Sequence, residues 1–248
     1  MQVLCTGSSG FIGQALCKEL TKQGHLVQSL PRDWKEIPKF DWLFHLGAYG
    51  NMYYQDNRSE IFRVNVVRTF ELLEATKFLE YEKFVYISSS SVTLPIQTLY
   101  SACKKAVEML IASYNKPIVI IRPYSVTGVG EQKEHLIPIL INAVFTGKRV
   151  DLVPDPKHDF IDIEDLVNTI IEAKQGIISA GSGISYSNQE VLEIVEDVIG
   201  RKANIHIVSS LREYDTTDWL SPQCYGKKSL EQSIKEMVKE YEKQRKDT

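Results

Sequence analysis

QVLCTGSSGFIGQALCKELTKQG, residues 2–24, decides how the rest of the chain is read. Gln2 to Thr6 is a short apolar strand pattern. Phe11 to Gln23 puts Ile12, Ala15, Leu16 and Leu20 on one helical face, and Gly24 supplies a common helix stop. Between them, TGSSGFIG (Thr6 to Gly13) spaces its glycines as G-x-x-G-x-x-G. Gly7 allows the tight turn, Gly10 lets the backbone approach a pyrophosphate, and Gly13 permits close packing of helix on strand. The helix start then offers free N–H groups and the positive end of its dipole to the phosphates, with Phe11 and Ile12 beside them. A glycine triplet alone marks only a strand-to-helix turn. Its position between a first strand and a first helix is the context that dinucleotide binding requires.

Outward from this loop, strand and helix signals alternate. His25–Leu30, Asp41–Gly47, Lys83–Ser88 and Ile118–Arg122 read as strands, Glu60–Phe78 and Leu99–Tyr114 as helices, and Pro31–Lys39 as a loop. The alternation predicts an α/β fold, a Rossmann-type doubly wound parallel sheet with right-handed crossovers and a small C-terminal substrate-binding lobe. After Pro123 the pattern loosens. Helices are expected at Leu136–Thr146, Glu164–Lys174, Ser187–Ile199 and Leu230–Tyr241, and strands at Val150–Val153, Gly176–Ala180 and Ile205–Val208. Ser187 with Glu190 has capping-box spacing, and Gly200 ends that helix. Residues 1–130 are read as the dinucleotide-binding core, with later segments returning to it, and 131–248 mainly as the substrate lobe. The charged end, Lys239–Thr248, is expected to fray.

Composition narrows the function classes. Of 248 residues 43% are hydrophobic and 25% charged, ordinary for a globular protein. A net charge of −3 and the lack of a basic run argue against a nucleic-acid partner. No apolar run reaches the ~18 residues that span a bilayer, and no signal-peptide pattern opens the chain, so a cytoplasmic protein is expected. The four cysteines form no CxxC pair and read as reduced core or helix thiols. Asp159, Asp162 and Asp165 read as caps and turn residues, so no metal site is expected.

The second strand ends Ser29-Leu30-Pro31-Arg32-Asp33. Proline stands where an acid for the adenosine ribose is first sought. Arg32 follows with a planar fork suited to a 2′-phosphate. This tilts the expected cofactor toward NADP over NAD, with Asp33 the alternative acid. A second constellation is ISSSSVT (Ile87–Thr93) followed by YSACK (Tyr100–Lys104). The serines end an apolar strand and so reach the ligand crevice of a parallel sheet. Tyr100 and Lys104, four apart, share a helical face, where an ammonium favours phenolate and lowers the tyrosine pKa. A serine hydroxyl would hold the substrate oxygen in line for proton transfer.

These motifs resemble the extended short-chain dehydrogenase/reductase family, the NAD-dependent epimerase/dehydratase group, which acts mainly on nucleotide-activated sugars. Beside the glycine loop, FHLGA (Phe44–Ala48), the Asn65-Val66 pair, YISSSSV with YSACK, RPYSVTGVG (Arg122–Gly130), HDFIDIEDLV (His158–Val167) and GSGISYS (Gly181–Ser187) are similar to family stretches over nearly the whole chain. The resemblance implies that Tyr100 is the acid/base, that Lys104 is its partner and binds the nicotinamide ribose, and that Ser89 is the catalytic hydroxyl. It also implies that Leu46, Gly47, Ala48 and Pro123 line the cofactor, that the substrate is a nucleotide sugar, and that the helices at 60–78 and 99–114 build a homodimer. Departures bear on the substrate. Ser90 and Ser91 stand where family dehydratases carry Asp and Glu, which disfavours a 4,6-dehydratase. Ser125 replaces an Asn, and His158 replaces a phosphate-clamping Arg, so Ser90, Ser125 and His158 are candidate substrate-side residues. The link from Ser89 to Tyr100 is short. The expected activities are a 4-ketoreductase or a 4-epimerase. The rival reading is a non-catalytic dinucleotide-binding regulatory or redox-sensing protein, which would keep the glycine loop but need not keep Ser89, Tyr100 and Lys104.

Overall fold

Val3, Leu4 and Cys5 are buried along β1 (Gln2–Thr6), as in a strand with helices on both faces of its sheet. The computed structural model describes residues 1–52, 54–209 and 218–246. After β1 come α1 (Phe11–Lys22), β2 (Leu26–Leu30), β3 (Trp42–His45), α2 (Arg58–Phe62), a π-helical turn (Arg63–Val67), α3 (Arg68–Thr76), β4 (Lys83–Ile87), a 3₁₀ turn (Ser90–Thr93), α4 (Leu99–Ala112) and β5 (Ile118–Pro123). Next are β6 (Ser125–Thr127), α5 (Leu136–Thr146), β7 (Val150–Leu152), β8 (Lys157–Asp162), α6 (Ile163–Glu172), β9 (Ile177–Ala180), β10 (Ser185–Ser187), α7 (Asn188–Ile199), β11 (Ile205–Ile207) and α8 (Leu230–Lys246).

The chain divides into two units. The first is Met1–Pro123 with Thr169–Ser179; the second is Tyr124–Asn168 with Ala180 onward. The sequence reading put the change at residue 130, but it falls at Pro123, and the segment that returns to the first unit is 169–179.

The first unit is a Rossmann-type α/β layer structure. Its sheet runs β2-β1-β3-β4-β5-β9, and β1 pairs in parallel with both β2 (Thr6 opposite Leu30) and β3 (Thr6 opposite His45). The winding therefore reverses between β1 and β3, which opens a crevice at their C-terminal ends. Leu4, Leu43, Phe84, Tyr86 and Ile120 of the strands pack with Leu72, Leu73, Val107 and Ile111 of the helices. Between β2 and β3 the chain forms no regular element, so β2 stands at the sheet edge.

In the second unit, Ile137, Leu140, Ile141 and Val144 of α5 meet Val191, Leu192 and Val195 of α7 and Ile234, Met237 and Val238 of α8. The capping box at Ser187 and Glu190 forms as its spacing predicts, and Gly200 closes α7 in the left-handed region. The strands β6, β8 and β10 make a small sheet that the sequence reading missed, because β6 and β10 have only three residues each. The expected fraying from Lys239 is also corrected: α8 continues to Lys246. Tyr241 stacks on Phe145 at 5.0 Å and donates to Asn142 at 2.8 Å, and Arg245 donates to the Phe145 carbonyl at 3.3 Å.

Candidate active site

The glycine loop lies at the point where the winding reverses. Gly7 has φ +67, and a Cβ there would sit 2.7 Å from Gly47 N and 2.8 Å from Leu46 C, so the loop after β1 presses on the one after β3. A Cβ on Gly13 would come within 2.1 Å of Gly7 O, so α1 packs on the turn only because that side chain is missing. Gly10 is different: its Cβ would meet only Gly7 O, at an ordinary 3.4 Å. Among the described residues nothing requires a glycine there. A group approaching from outside would, and this fits a pyrophosphate in the cradle. Gly10 also caps α1 without a side-chain bond, and the first turn carries no acid, a helix start of the kind suited to an anion. Phe11 and Ile12 begin the helix, half-buried.

Behind the loop runs a directional chain of buried bonds. Gly47 N donates to Thr6 Oγ1 at 3.0 Å, and Thr6 Oγ1 lies 2.6 Å from His45 Nδ1. On the other side of the ring, His45 Nε2 lies 2.8 Å from Thr69 Oγ1, which donates to the Asn65 carbonyl at 2.8 Å. Thr69 spends its proton on that carbonyl, so it accepts from Nε2–H; Nδ1 is then free to accept from Thr6. This order assigns a neutral ring. Burial, and to a lesser degree the charge of Lys104, lower the His45 pKa to about 3. Asn65, in the π-helical turn, clamps the following loop through Tyr49 N (3.2 Å) and Tyr49 O (2.6 Å). The Leu46-Gly47-Ala48 segment is thus fixed from both sides. Beyond this segment Tyr54 is exposed.

At the end of β2, Ser29 Oγ lies 2.6 Å from Ser8 Oγ of the glycine loop. Arg32 is exposed. Its guanidinium approaches Glu60 at 3.5 Å, and its carbonyl accepts from Arg68 at 2.7 Å. Asp33 follows in the same exposed loop.

At the end of β4, Ser89 caps the 3₁₀ turn. Its hydroxyl accepts from Ser91 N at 3.2 Å and lies 2.8 Å from Ser91 Oγ. Ser90 is buried. Thr98 caps α4, whose first turns carry Tyr100 and Lys104. Lys104 is only 2% exposed; Nζ donates to the Ile87 carbonyl at 2.7 Å, 5.8 Å from the Tyr100 ring centroid and 4.9 Å from that of Tyr86. Burial lowers the Lys104 amine to about 7, opposed by Glu108 and Cys103. The expectation that Lys104 lowers the tyrosine is corrected in this state: burial raises the Tyr100 phenol. Lys104 Nζ is turned to the Ile87 carbonyl, and desolvation of the phenol is the cause of the rise.

Sequence reasoning missed what lies one turn further along α4. Glu108 is 7% exposed and accepts from Ser88 Oγ (2.5 Å), Arg122 Nε (2.9 Å) and Arg122 Nη2 (2.5 Å). The i, i+4, i+8 spacing of Tyr100, Lys104 and Glu108 was the available signal.

In the second unit, Ser125 begins β6. His158 sits in β8 opposite Tyr186, its ring 5.4 Å from Trp219 and 6.2 Å from Phe160. The three aspartates nearby serve backbone turns. Asp159 accepts from Ser182 N, Gly183 N and Ser221 N; Asp162 accepts from Glu164 N, and Asp165 from Lys227 N and Lys228 N. Pro123, buried, closes β5 in the first unit.

A model described as the NAD dependent epimerase/dehydratase family matches residues 3–186. The chain is 26% identical over 238 residues to GDP-6-deoxy-D-talose 4-dehydrogenase of Aggregatibacter actinomycetemcomitans, with 80% of each protein covered. It is 24% identical over 268 residues to dTDP-D-glucose 4,6-dehydratase of Dictyostelium discoideum, covering 79% of this chain and 62% of that one. Among solved structures, MoeE5 in complex with UDP-glucuronic acid and NAD matches with a TM-score of 0.86 at 22% identity, over 98% of this chain and 100% of the other, a likeness of fold.

Proposed function

The chain belongs to the NAD dependent epimerase/dehydratase family, and from that premise we propose that it transfers hydride at C4 of a nucleotide sugar, as a 4-ketoreductase using NADPH. The observation that carries the reading is the placement of Lys104, buried, 5.8 Å from the Tyr100 ring and bonded to Ile87, the last residue of β4, which precedes Ser89 by two.

The nicotinamide, when bound, supplies or accepts the hydride. The rest falls to the protein. Ser89 holds the substrate oxygen, and Tyr100 passes a proton to it or takes one from it. Lys104 stabilises the phenolate that forms and contacts the nicotinamide ribose. The glycine loop and the Leu46–Ala48 segment hold the dinucleotide. A phenol kept protonated by its surroundings is suited to the reductive direction, in which it begins as the donor. Arg32, exposed just beyond β2 where Pro31 takes the first position for a ribose acid, supports the 2′-phosphate of NADPH, with Asp33 beside it the alternative acid for NADH. The 4-dehydrogenase activity named for a relative supports the C4 position. Elimination of water needs a carboxylic acid next to the catalytic hydroxyl, and Ser90 and Ser91 provide none. Phe62, Phe70 and Met109, exposed on α2, α3 and α4, are proposed to bury themselves in a homodimer.

The test is to offer NADH and NADPH with a panel of nucleotide-linked 4-keto sugars and their carbinols. Net consumption of reduced cofactor is expected. Interconversion of isomers without net consumption would make the protein a 4-epimerase instead. Binding of dinucleotide with no turnover across the panel would favour a regulatory or redox-sensing module and overturn the catalytic reading.

A further inference from the structure

We infer that Glu108 is a positioning residue: its carboxylate keeps the buried Lys104 side chain protonated and fixes the β4 end that carries Ser89. The inference rests on the reading of Tyr100 and Lys104 as the hydride-transfer pair and goes one turn beyond it.

The geometry is that of a carboxylate. Two guanidinium donors of Arg122, from β5, and the Ser88 hydroxyl, from the residue after β4, converge on it. Three segments of the first unit are thereby joined at a group with 7% exposure. Ser88 also donates its amide to the Ile121 carbonyl at 2.7 Å, so the residue before Ser89 is held by backbone and side chain together.

The charges around Lys104 leave this role to Glu108. On α4 it shares a helix face with Tyr100 and Glu108, one turn to either side, with Cys103 adjoining it; Tyr86 of β4 has its ring 4.9 Å away, His45 of β3 is close enough for Lys104 to lower it, and Arg122 of β5 is the cation bonded to Glu108 itself. His45 is neutral by its bonding pattern, burial raises the Tyr86 and Tyr100 phenols, and burial likewise raises the Cys103 thiol. Among these described groups Glu108 is the anion. An amine whose desolvation favours loss of its proton needs such a counter-charge to remain an ammonium at neutral pH.

The test uses the whole protein and two substitutions with opposite signs. Unfolded lysine titrates near 10.5, and the folded Lys104 near 7. Between these values the unfolded chain binds more protons, so stability rises with pH, beginning where folded Lys104 loses its proton. Glu108→Gln is expected to move the onset of that rise, read by urea unfolding, about one pH unit lower; Arg122→Gln, which leaves the carboxylate unshielded, moves it higher. Lys104→Met removes the rise. The alkaline limb of kcat should move in the same two directions, and Glu108→Asp should restore both readouts toward wild type. A purely structural Glu108 would lower stability in both variants and leave the onset in place, and that result overturns the inference. Should Glu108→Gln not fold, Arg122→Gln decides alone: an onset that stays or falls rejects it. The unfolding measurement needs neither cofactor nor substrate, so absent turnover would sink the catalytic reading while leaving this one to its own result.

Discussion

Thr6 Oγ1 and His45 Nδ1 stand 2.6 Å apart, and the same Thr6 oxygen takes the Gly47 amide, so one hydroxyl joins the end of β1 to the end of β3 where the winding of the sheet reverses. The two loops that frame the crevice are set against each other by this pair rather than by apolar packing.

Thr6→Val keeps the shape and removes the hydroxyl. It leaves His45 Nδ1 and the Gly47 amide without their partner, at a cost of about 1–3 kcal/mol in denaturant unfolding. Dinucleotide affinity, read by fluorescence titration, should fall with it because the 46–48 segment loses its anchor.

His45 gives the acid side of the stability profile. Its ring, lowered to about 3 in the folded protein from 6.5, stays neutral while the unfolded chain takes up a proton. Stability contributed above pH 6.5 is therefore lost on acidification toward pH 3, with a slope approaching ~1.4 kcal/mol per pH unit from this group. His45→Gln should flatten the profile in that window; an unchanged slope would show that the ring titrates normally.

Gly10→Ala and Gly13→Ala should separate binding from folding. Alanine at 13 drives its Cβ into Gly7 O and should destabilise the protein by about 2 kcal/mol or more. Alanine at 10 meets only ordinary contact, so stability should stay within about 1 kcal/mol. Dinucleotide affinity should nevertheless drop tenfold or more at position 10, as seen by isothermal titration.

Tyr100→Phe should lower kcat by about 10²–10⁴, the usual worth of a positioned acid/base. Its unfolding midpoint and dinucleotide affinity should remain near wild type. Turnover surviving intact would remove Tyr100 from the chemistry.

Arg32→Ala should weaken NADPH binding by about tenfold, the scale of a charged hydrogen bond lost, and leave NADH binding within about twofold. Equal losses for both cofactors would assign Arg32 to its contact with Glu60 instead.

Much of the first unit was legible because it is built from local rules. The glycine spacing, the apolar strands and the helical faces each depend on residues close in sequence, and α1 and α4 emerge within a residue or two of their expected limits. What escaped the sequence depends on partners far along the chain. The sheet of β6, β8 and β10 joins segments from 125, 157 and 185, and the two outer ones, of three residues each, are too short to show a period. The long expected helix at 60–78 begins at Arg58, ends at Thr76 and contains a π turn at Asn65, whose side chain is held by the distant Tyr49 backbone. Tyr100 and Lys104 were visible as a spacing. Glu108 continues that spacing, but its importance lies in Arg122 and Ser88, brought to it by β5 and β4.

The bare edge at β2 carries a hazard of its own. With 31–40 forming no strand beyond it, one rim of its peptide groups has no neighbouring ladder, and Leu26 there is 73% exposed. Such a rim is a template on which a second chain could add itself and begin a fibril. The strand is only five residues long, and Pro31, directly after it, has no amide to extend the ladder. Economy at this margin of the sheet is thus tolerable because the foothold it leaves is too short to propagate.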